Sequence, residues 1–276
     1  MVRSGRGDWE TNSRTSRSAG PQPWPTMAAV DLGTARAKLW LPPKRVGTLK
    51  AAERLIAKLG FALAFPVEGV MLPSLFEAVA GPDAVAWQDG MGEPESLVWD
   101  YKDALPAAGA AWSGKLLHRR ASLVAPDLLA LLYEGEGEGD DYQAFDVSRE
   151  AHQIAAALQG GPLPTSALRE LIGNRSRYDR AMGELHRRLL VTSAGVRKQA
   201  AGWPVVMVEL TCRVFEVGGR FDRTLATQRF LGTVLAAAPS QLAKAFAWTP
   251  AVARVTLESL VDGGLARQEN GLYRPA

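Results

Sequence analysis

The chain has 276 residues, 47% hydrophobic and 22% charged, with a formal net charge of +3. That is enough apolar material for two or three small cores, and with no uninterrupted run of 18 apolar residues the sequence offers no membrane span. Cys212 is the single cysteine, and His118, His152 and His186 are scattered without ligand spacing, so neither a disulfide framework nor a zinc site is expected. The simplest compartment is a reducing cytoplasm.

Residues 1–27 are rich in Arg, Ser, Gly and Pro and lack the apolar core of a secretory signal, so a disordered extension is expected. Met27 at its end is the expected natural start. Residues 28–133 form an α/β region. Within it, Thr48 to Leu59 reads as an amphipathic helix with Ala52, Leu55, Ile56 and Leu59 inward and Gly60 closing it. Phe61 to Phe65 is a short strand, and Ser74 starts a helix that Gly81-Pro82 ends. The order suggests a degenerate winged helix. Further on come Val98-Trp99-Asp100-Tyr101-Lys102-Asp103 and Trp112-Ser113-Gly114-Lys115. Trp beside Lys could stack on bases or grip phosphate; the competing reading is core packing by Trp99, Tyr101 and Trp112, with Lys102 and Asp103 paired at the surface. Residues 134–146, which hold EGEGEGDD, read as a flexible acidic linker.

From residue 147 the pattern changes to helix, turn, helix and a Gly-marked hairpin, twice over. In the first copy, residues 147–219, Ala151, Ile154, Ala155 and Leu158 make one helix face and Thr165 caps the next helix. Ser176 and Asp179 suggest a capping box for a helix from Tyr178 to Leu190. Val191 to Val196 and Pro204 to Val217 then supply two strands. In the second copy, residues 220–276, Phe230, Leu231, Val234 and Leu235 form a stripe, and Pro239-Ser240 and Thr249-Pro250 mark helix starts. Val252, Val255, Leu257, Leu260 and Val261 are the expected buried face, Gly263-Gly264 ends the helix, and a hairpin turns at Gln268-Glu269-Asn270. This is helix-turn-helix order. The fold class expected is α+β, mainly helical, with tandem winged helix-turn-helix domains.

Charge divides the chain at the same place. Ser148 to Ala200 holds nine basic residues against four acids, and Ala28 to Asp146 eleven against seventeen. A local excess of cations favours phosphate contact through counterion release, whatever the base sequence. The expected DNA contacts are Arg177, Arg180, Arg187 and Arg188 on one recognition helix, Arg254 on the other, and Arg267 and Arg274 on a wing. Lys102 and Lys115 join them through the resemblance that follows. The competing reading of such arginines is a solvated helix face.

The runs AERLIAKLGFALAFPVEGVMLPSLFEAVA (52–80), VWDYKDALP (98–106), WSGKLLHRRASLVAPDLLALLY (112–133) and GPLPTSALRELIG (161–173) resemble the AlkZ-related branch of the YcaQ/AlkZ winged-helix DNA glycosylase superfamily. The resemblance implies tandem winged helices that cradle duplex DNA. In active members it implies hydrolysis of the N-glycosidic bond of alkylated or crosslinked bases without metal or organic cofactor. Active members carry Gln-x-Gln or Gln-x-Asp, two polar side chains that extended chain aims the same way. Here no Gln is followed two residues later by Gln or Asp, and Gln88-Asp89 is adjacent instead. The primary expectation is therefore a divergent or non-catalytic protein that binds double-stranded, damaged or intact DNA. A glycosylase with Asp100 or Asp103 as substitute acid and a transcriptional regulator are the alternatives; no cofactor, metal or membrane partner is expected, and oligomeric state stays open.

Overall fold

A computed structural model describes residues 27–88, 90–198 and 204–276. The expected extension, apart from Met27, lies outside them, as does Asp89. Helix α1 (Met27–Trp40) leads into α2 (Leu49–Leu59), β1 (Phe61–Leu63), α3 (Leu75–Ala80), α4 (Glu93–Ala107), β2 (Trp112–Lys115) and β3 (Ala121–Val124). After α5 (Pro126–Leu132) come α6 (Arg149–Leu158), β4 (Leu163–Pro164), α7 (Thr165–Ile172), α8 (Arg175–Arg187), β5 (Val191–Arg197) and β6 (Val205–Leu210). The one-turn α9 (Thr211–Val214) precedes α10 (Arg223–Val234), α11 (Pro239–Phe246), α12 (Pro250–Asp262), β7 (Ala266–Glu269) and β8 (Leu272–Pro275). The result is a mixed helix–strand fold in which, among the described residues, no helix is long and apolar enough to cross a membrane.

One order recurs three times: helix, strand, helix, helix, strand, strand. The antiparallel sheets run β1-β3-β2 and β4-β6-β5, so the last strand lies in the middle each time. In the third unit the first strand has shrunk to one bridge, Ala237 with Tyr273 of β8, and β7 pairs on the other side of β8. The acidic first region thus shares its topology with the two basic ones, although its sequence carries the weaker helix-turn-helix punctuation.

Local chemistry explains the elements. Thr48 caps α2 by accepting the Ala51 N–H, the stripe Ala52, Leu55, Ile56 and Leu59 is buried, and Gly60 leaves the helix at φ +83°. Thr249 caps α12 with Pro250 in its first turn.

Several expectations shift. Asn174, not Ser176, caps α8: its Oδ1 accepts the Arg177 N–H at 3.0 Å. Gly173, left-handed at φ +68°, ends α7 one residue earlier, so α8 starts directly after Asn174. On α12 the buried stripe is Ala253, Thr256, Leu257 and Leu260, while Val255 is 64% exposed. The two residues from Ala253 to Val255 turn the helix by about 200°, to the opposite side. The second strand of the middle hairpin ends at Leu210, and Cys212 lies in α9. That turn lets Arg213 donate back to the carbonyls of Leu158 and Gln159, at 2.8 and 2.5 Å. The last hairpin turns on Asn270-Gly271, both at positive φ, with Glu269 paired to Leu272.

Residues 134–146 are not a loose tether. Asp141 is buried and accepts the Tyr133 hydroxyl at 2.7 Å and the N–H groups of Glu136, Gly137 and Glu138 at 2.9–3.1 Å. Gly137 and Gly218 lie backbone to backbone, where any Cβ would strike a carbonyl of the other segment. The composition is that of a linker, but one buried acid gathers three orphan backbone donors and fixes the segment.

The three units lock together. Trp112 Nε1 donates to Val191 O at 3.0 Å and the Ser113 N–H to Thr192 Oγ1 at 3.1 Å, joining β2 to β5. Helix α4 lies against β5, where Gly195 at φ +92° leaves no room for a Cβ beside Ala107. On the other side Arg36 of α1 donates to the carbonyls of Val234 and Ala236, and Trp40 to that of Thr233. Phe61 of the first unit stacks at 5.6 Å on Phe230 of the third, in a core shared by all three.

Candidate nucleic-acid interface

The units meet in a groove of about 660 Å³ lined by Leu116, His118, Arg119, Arg187, Lys244 and Trp248, among others. Each unit supplies part of it. The turn between β2 and β3 puts His118 and Arg119 in the left-handed region, at φ +49° and +59°. Leu117, buried, pins that turn, its N–H donating to Ser122 Oγ at 3.0 Å while Ser122 donates to Arg120 O at 2.7 Å. The turn rests on α11. Arg187 stands in the last turn of α8 and Lys244 in that of α11, and a left-handed Ala247 then swings Trp248 to the groove wall.

The groove gathers cations with no carboxylate in its lining. Among the described residues, Arg119, Arg187 and Lys244 form no ion pair. Helix C-termini carry partial negative charge, worth about 0.3–1 kcal/mol to a nearby cation, which helps hold Arg187 and Lys244 in place without a carboxylate. Burial first, and Lys244 second, push the His118 imidazole below its ordinary pKa. Three uncommitted cations with a half-buried tryptophan form a surface suited to a phosphate backbone.

Of the residues singled out from the sequence, Arg187 is in this groove. Arg180 shares its helix face, seven residues back, and has no ion pair; Arg177 leads the same stripe but pairs with Glu150 at 3.4 Å. Arg188 turns away toward Glu134 at 3.3 Å and the Phe145 ring at 5.4 Å. Arg254 is exposed on α12. Arg267 and Arg274 stand opposite each other on the last hairpin and share Glu269, at 3.1 and 3.6 Å. Lys115 is exposed at the end of β2, near His186.

Lys102 does not fit a phosphate contact. It is 8% exposed, its ammonium is engaged by Asp103, and it lies 4.6 Å over the Trp99 ring. Asp103 is thereby committed, while Asp100 projects to solvent on α4. Neither carboxylate reaches the groove, Tyr101 and Trp112 are core residues, and Trp99 is 38% exposed. Arg119, Lys244 and Trp248 were not expected from the sequence. The basic pair Arg119-Arg120 between two strands and the Lys-x-x-x-Trp spacing of residues 244–248 were the available signals, but both needed the fold to bring them together.

Comparisons with known proteins bear on the family and the fold. A model of the family described as AlkZ related matches residues 46–247. Among solved structures, the Streptomyces sahachiroi DNA glycosylase AlkZ is similar, with a TM-score of 0.50 at 13% identity over 86% of this chain. The chain spans 65% of that glycosylase's length, and at this identity the likeness shows the fold alone. No curated protein matches.

Proposed function

The chain belongs to the AlkZ-related family, and from that premise we propose that it is a tandem winged-helix protein that holds duplex DNA in the groove between its units. The winged-helix reading, over 28–133, 147–219 and 220–276, rests on the recurring element order and the last-strand-central sheets. The carrying observation is the convergence of Arg119, Arg187 and Lys244, one uncommitted cation from each unit, beside Trp248. Arg180 and Arg254 extend the same basic contact, and Arg177, Arg267, Arg274 and Arg188 join it where phosphate outcompetes their surface carboxylates, since exposed ion pairs are worth only about 0–1 kcal/mol.

The protein binds rather than cuts. None of the described strands carries the Gln-x-Gln or Gln-x-Asp pair, and the two candidate acids lie outside the groove. Arg119→Ala and Lys244→Ala are expected to weaken binding of every duplex about equally, each lowering the slope of log K against log salt by about one. Anisotropy titrations at several salt concentrations measure this, with abasic-site formation on alkylated duplexes followed alongside. Abasic product that disappears in Asp100→Asn would replace this reading with an active glycosylase; affinity insensitive to salt would end it.

A further inference from the structure

The first unit carries a surface of another kind. From Leu59 to Tyr101 the sequence holds seven acids and no lysine, arginine or histidine. Within that stretch Val85, Trp87, Met91 and Trp99 stand 38–66% exposed, although large apolar side chains are usually covered. They are not scattered. Phe65 joins the two tryptophans, its ring 4.8 Å from Trp87 and 6.1 Å from Trp99, and it rests on Phe76 of the unit's core at 5.7 Å. None of these rings lines the groove.

The exposed indole is held in place from inside. Trp87 sits at φ +67°, a conformation bulky residues rarely adopt, and its N–H donates to Glu95 Oε1 at 3.0 Å while the Gly92 N–H donates to Oε2 at 3.1 Å. Glu95 is buried, so one internal carboxylate over-determines the strained residue. Asp83, Glu93 and Asp100, each within two residues of an exposed apolar one, are exposed and form no ion pair among the described residues. Lys102, lying over the Trp99 ring, is neutralised by Asp103, and Arg45 stands against Gly81. These charges decide between occupants. A phosphate backbone or an anionic lipid surface would meet uncompensated carboxylates, and like-charge contact is repulsive. A segment with both cations and apolar anchors suits the face, since its arginines and lysines pair with the acids and lie on tryptophan rings as Lys102 already does. Tryptophan and flexible methionine are suited to the apolar stripe of an amphipathic helix.

We propose that this face docks a basic amphipathic segment of another protein, its apolar stripe on Trp87, Trp99, Val85 and Met91 and its cations on Asp83, Glu93 and Asp100. The molecule then has two contact surfaces of opposite charge, a cationic groove for DNA and an acidic, aromatic face for protein. The second stands whether or not the groove holds DNA.

The test is an anisotropy titration of the whole chain against a labelled synthetic helix of about fifteen residues, with leucine at helical spacing and lysine and arginine on the opposite face. One-to-one binding is expected, and Trp87→Ser and Trp99→Ser should each weaken it roughly tenfold or more, as aromatic anchors do. Asp83→Asn combined with Glu93→Gln should weaken it too and lower its salt dependence. Cooperative urea unfolding with an unchanged m-value shows that each variant is folded, and the charge variant carries the test if a tryptophan variant is not. Affinity retained in the folded tryptophan variants, affinity and salt dependence unchanged in the charge variant, equal binding of a helix with glutamates in place of its cations, or no binding at all overturns the inference. Two other occupants have their own signatures. A dimer in sedimentation velocity that Trp87→Ser dissolves makes the face a contact between copies, and peptide binding seen only in a chain starting at Met27 assigns it to residues 1–26; either result overturns the inference.

Discussion

Helices α4 and α8 hold the same place in the same topology, each the third helix of its unit and each followed by a hairpin, yet they face opposite environments. The outer face of α8 carries Arg177, Arg180 and Arg187 to the surface, over a buried stripe of Tyr178, Ala181, Met182 and Leu185. In α4 the corresponding region is acidic and partly roofed by β5 of the next unit, so Lys102 and Asp103 neutralise each other under cover. A repeated fold does not repeat a function: what the neighbouring unit covers decides which copy can meet a ligand. The first unit contributes through its hairpin turn instead, with Arg119 reaching the groove that α4 cannot.

The largest effect is expected where that cover is fastened. Trp112 is fully buried and ties β2 to Val191 O. Trp112→Ala should cost about 3–5 kcal/mol in urea unfolding, from lost burial plus the cavity left behind. The same change should raise hydrogen exchange in α4 more than in α8. Equal deprotection of both helices would mean that α4 is not held by the neighbouring hairpin.

The pH dependence should sharpen the contrast from the α8 side. His186, in the last turn of α8, meets the Trp112 ring edge-on at 6.0 Å with its Nδ1 sealed off unpartnered. Burial chiefly, and Lys115 after it, push its pKa down to about 4. The helix terminus would favour a charged imidazole by about 1 kcal/mol, and burial outweighs that attraction. Because the folded pKa lies below the unfolded value near 6.5, this contribution is complete above about pH 6.5 and is lost as pH falls toward 4. The loss should approach about 3 kcal/mol, with His118 acting in the same direction. His186→Leu should flatten the stability profile over that window; an unchanged profile would place the acid sensitivity elsewhere.

Much of this architecture was legible in the chain. The α2 stripe and its Thr48 and Gly60 caps, the α6 stripe and the Thr249-Pro250 start are local signals, and the structure has each where periodicity and capping put it. What the sequence hid was non-local. Val255 was counted as core because it is apolar, though its position on the helix sends it to solvent. The 134–146 segment looked like a linker because composition cannot say which of its acids will be buried. The groove was hidden for the same reason, since Arg119, Arg187 and Lys244 lie far apart in the chain and no spacing rule unites them.

The smallest effects separate the two helices most directly. Lys102→Ala strips Asp103 of its partner in a covered site, and breaking a mostly buried ion pair leaves a carboxylate poorly solvated. A loss of about 1–3 kcal/mol is expected. Arg180→Ala on α8 touches only solvent and should change stability by less than about 0.5 kcal/mol, while weakening duplex binding by one phosphate contact. The two substitutions should therefore trade places between assays, the first visible in unfolding and the second in DNA titration. If Lys102→Ala weakened DNA binding without destabilising the fold, α4 would be a presented reading helix after all, and its cover would have to open when DNA arrives.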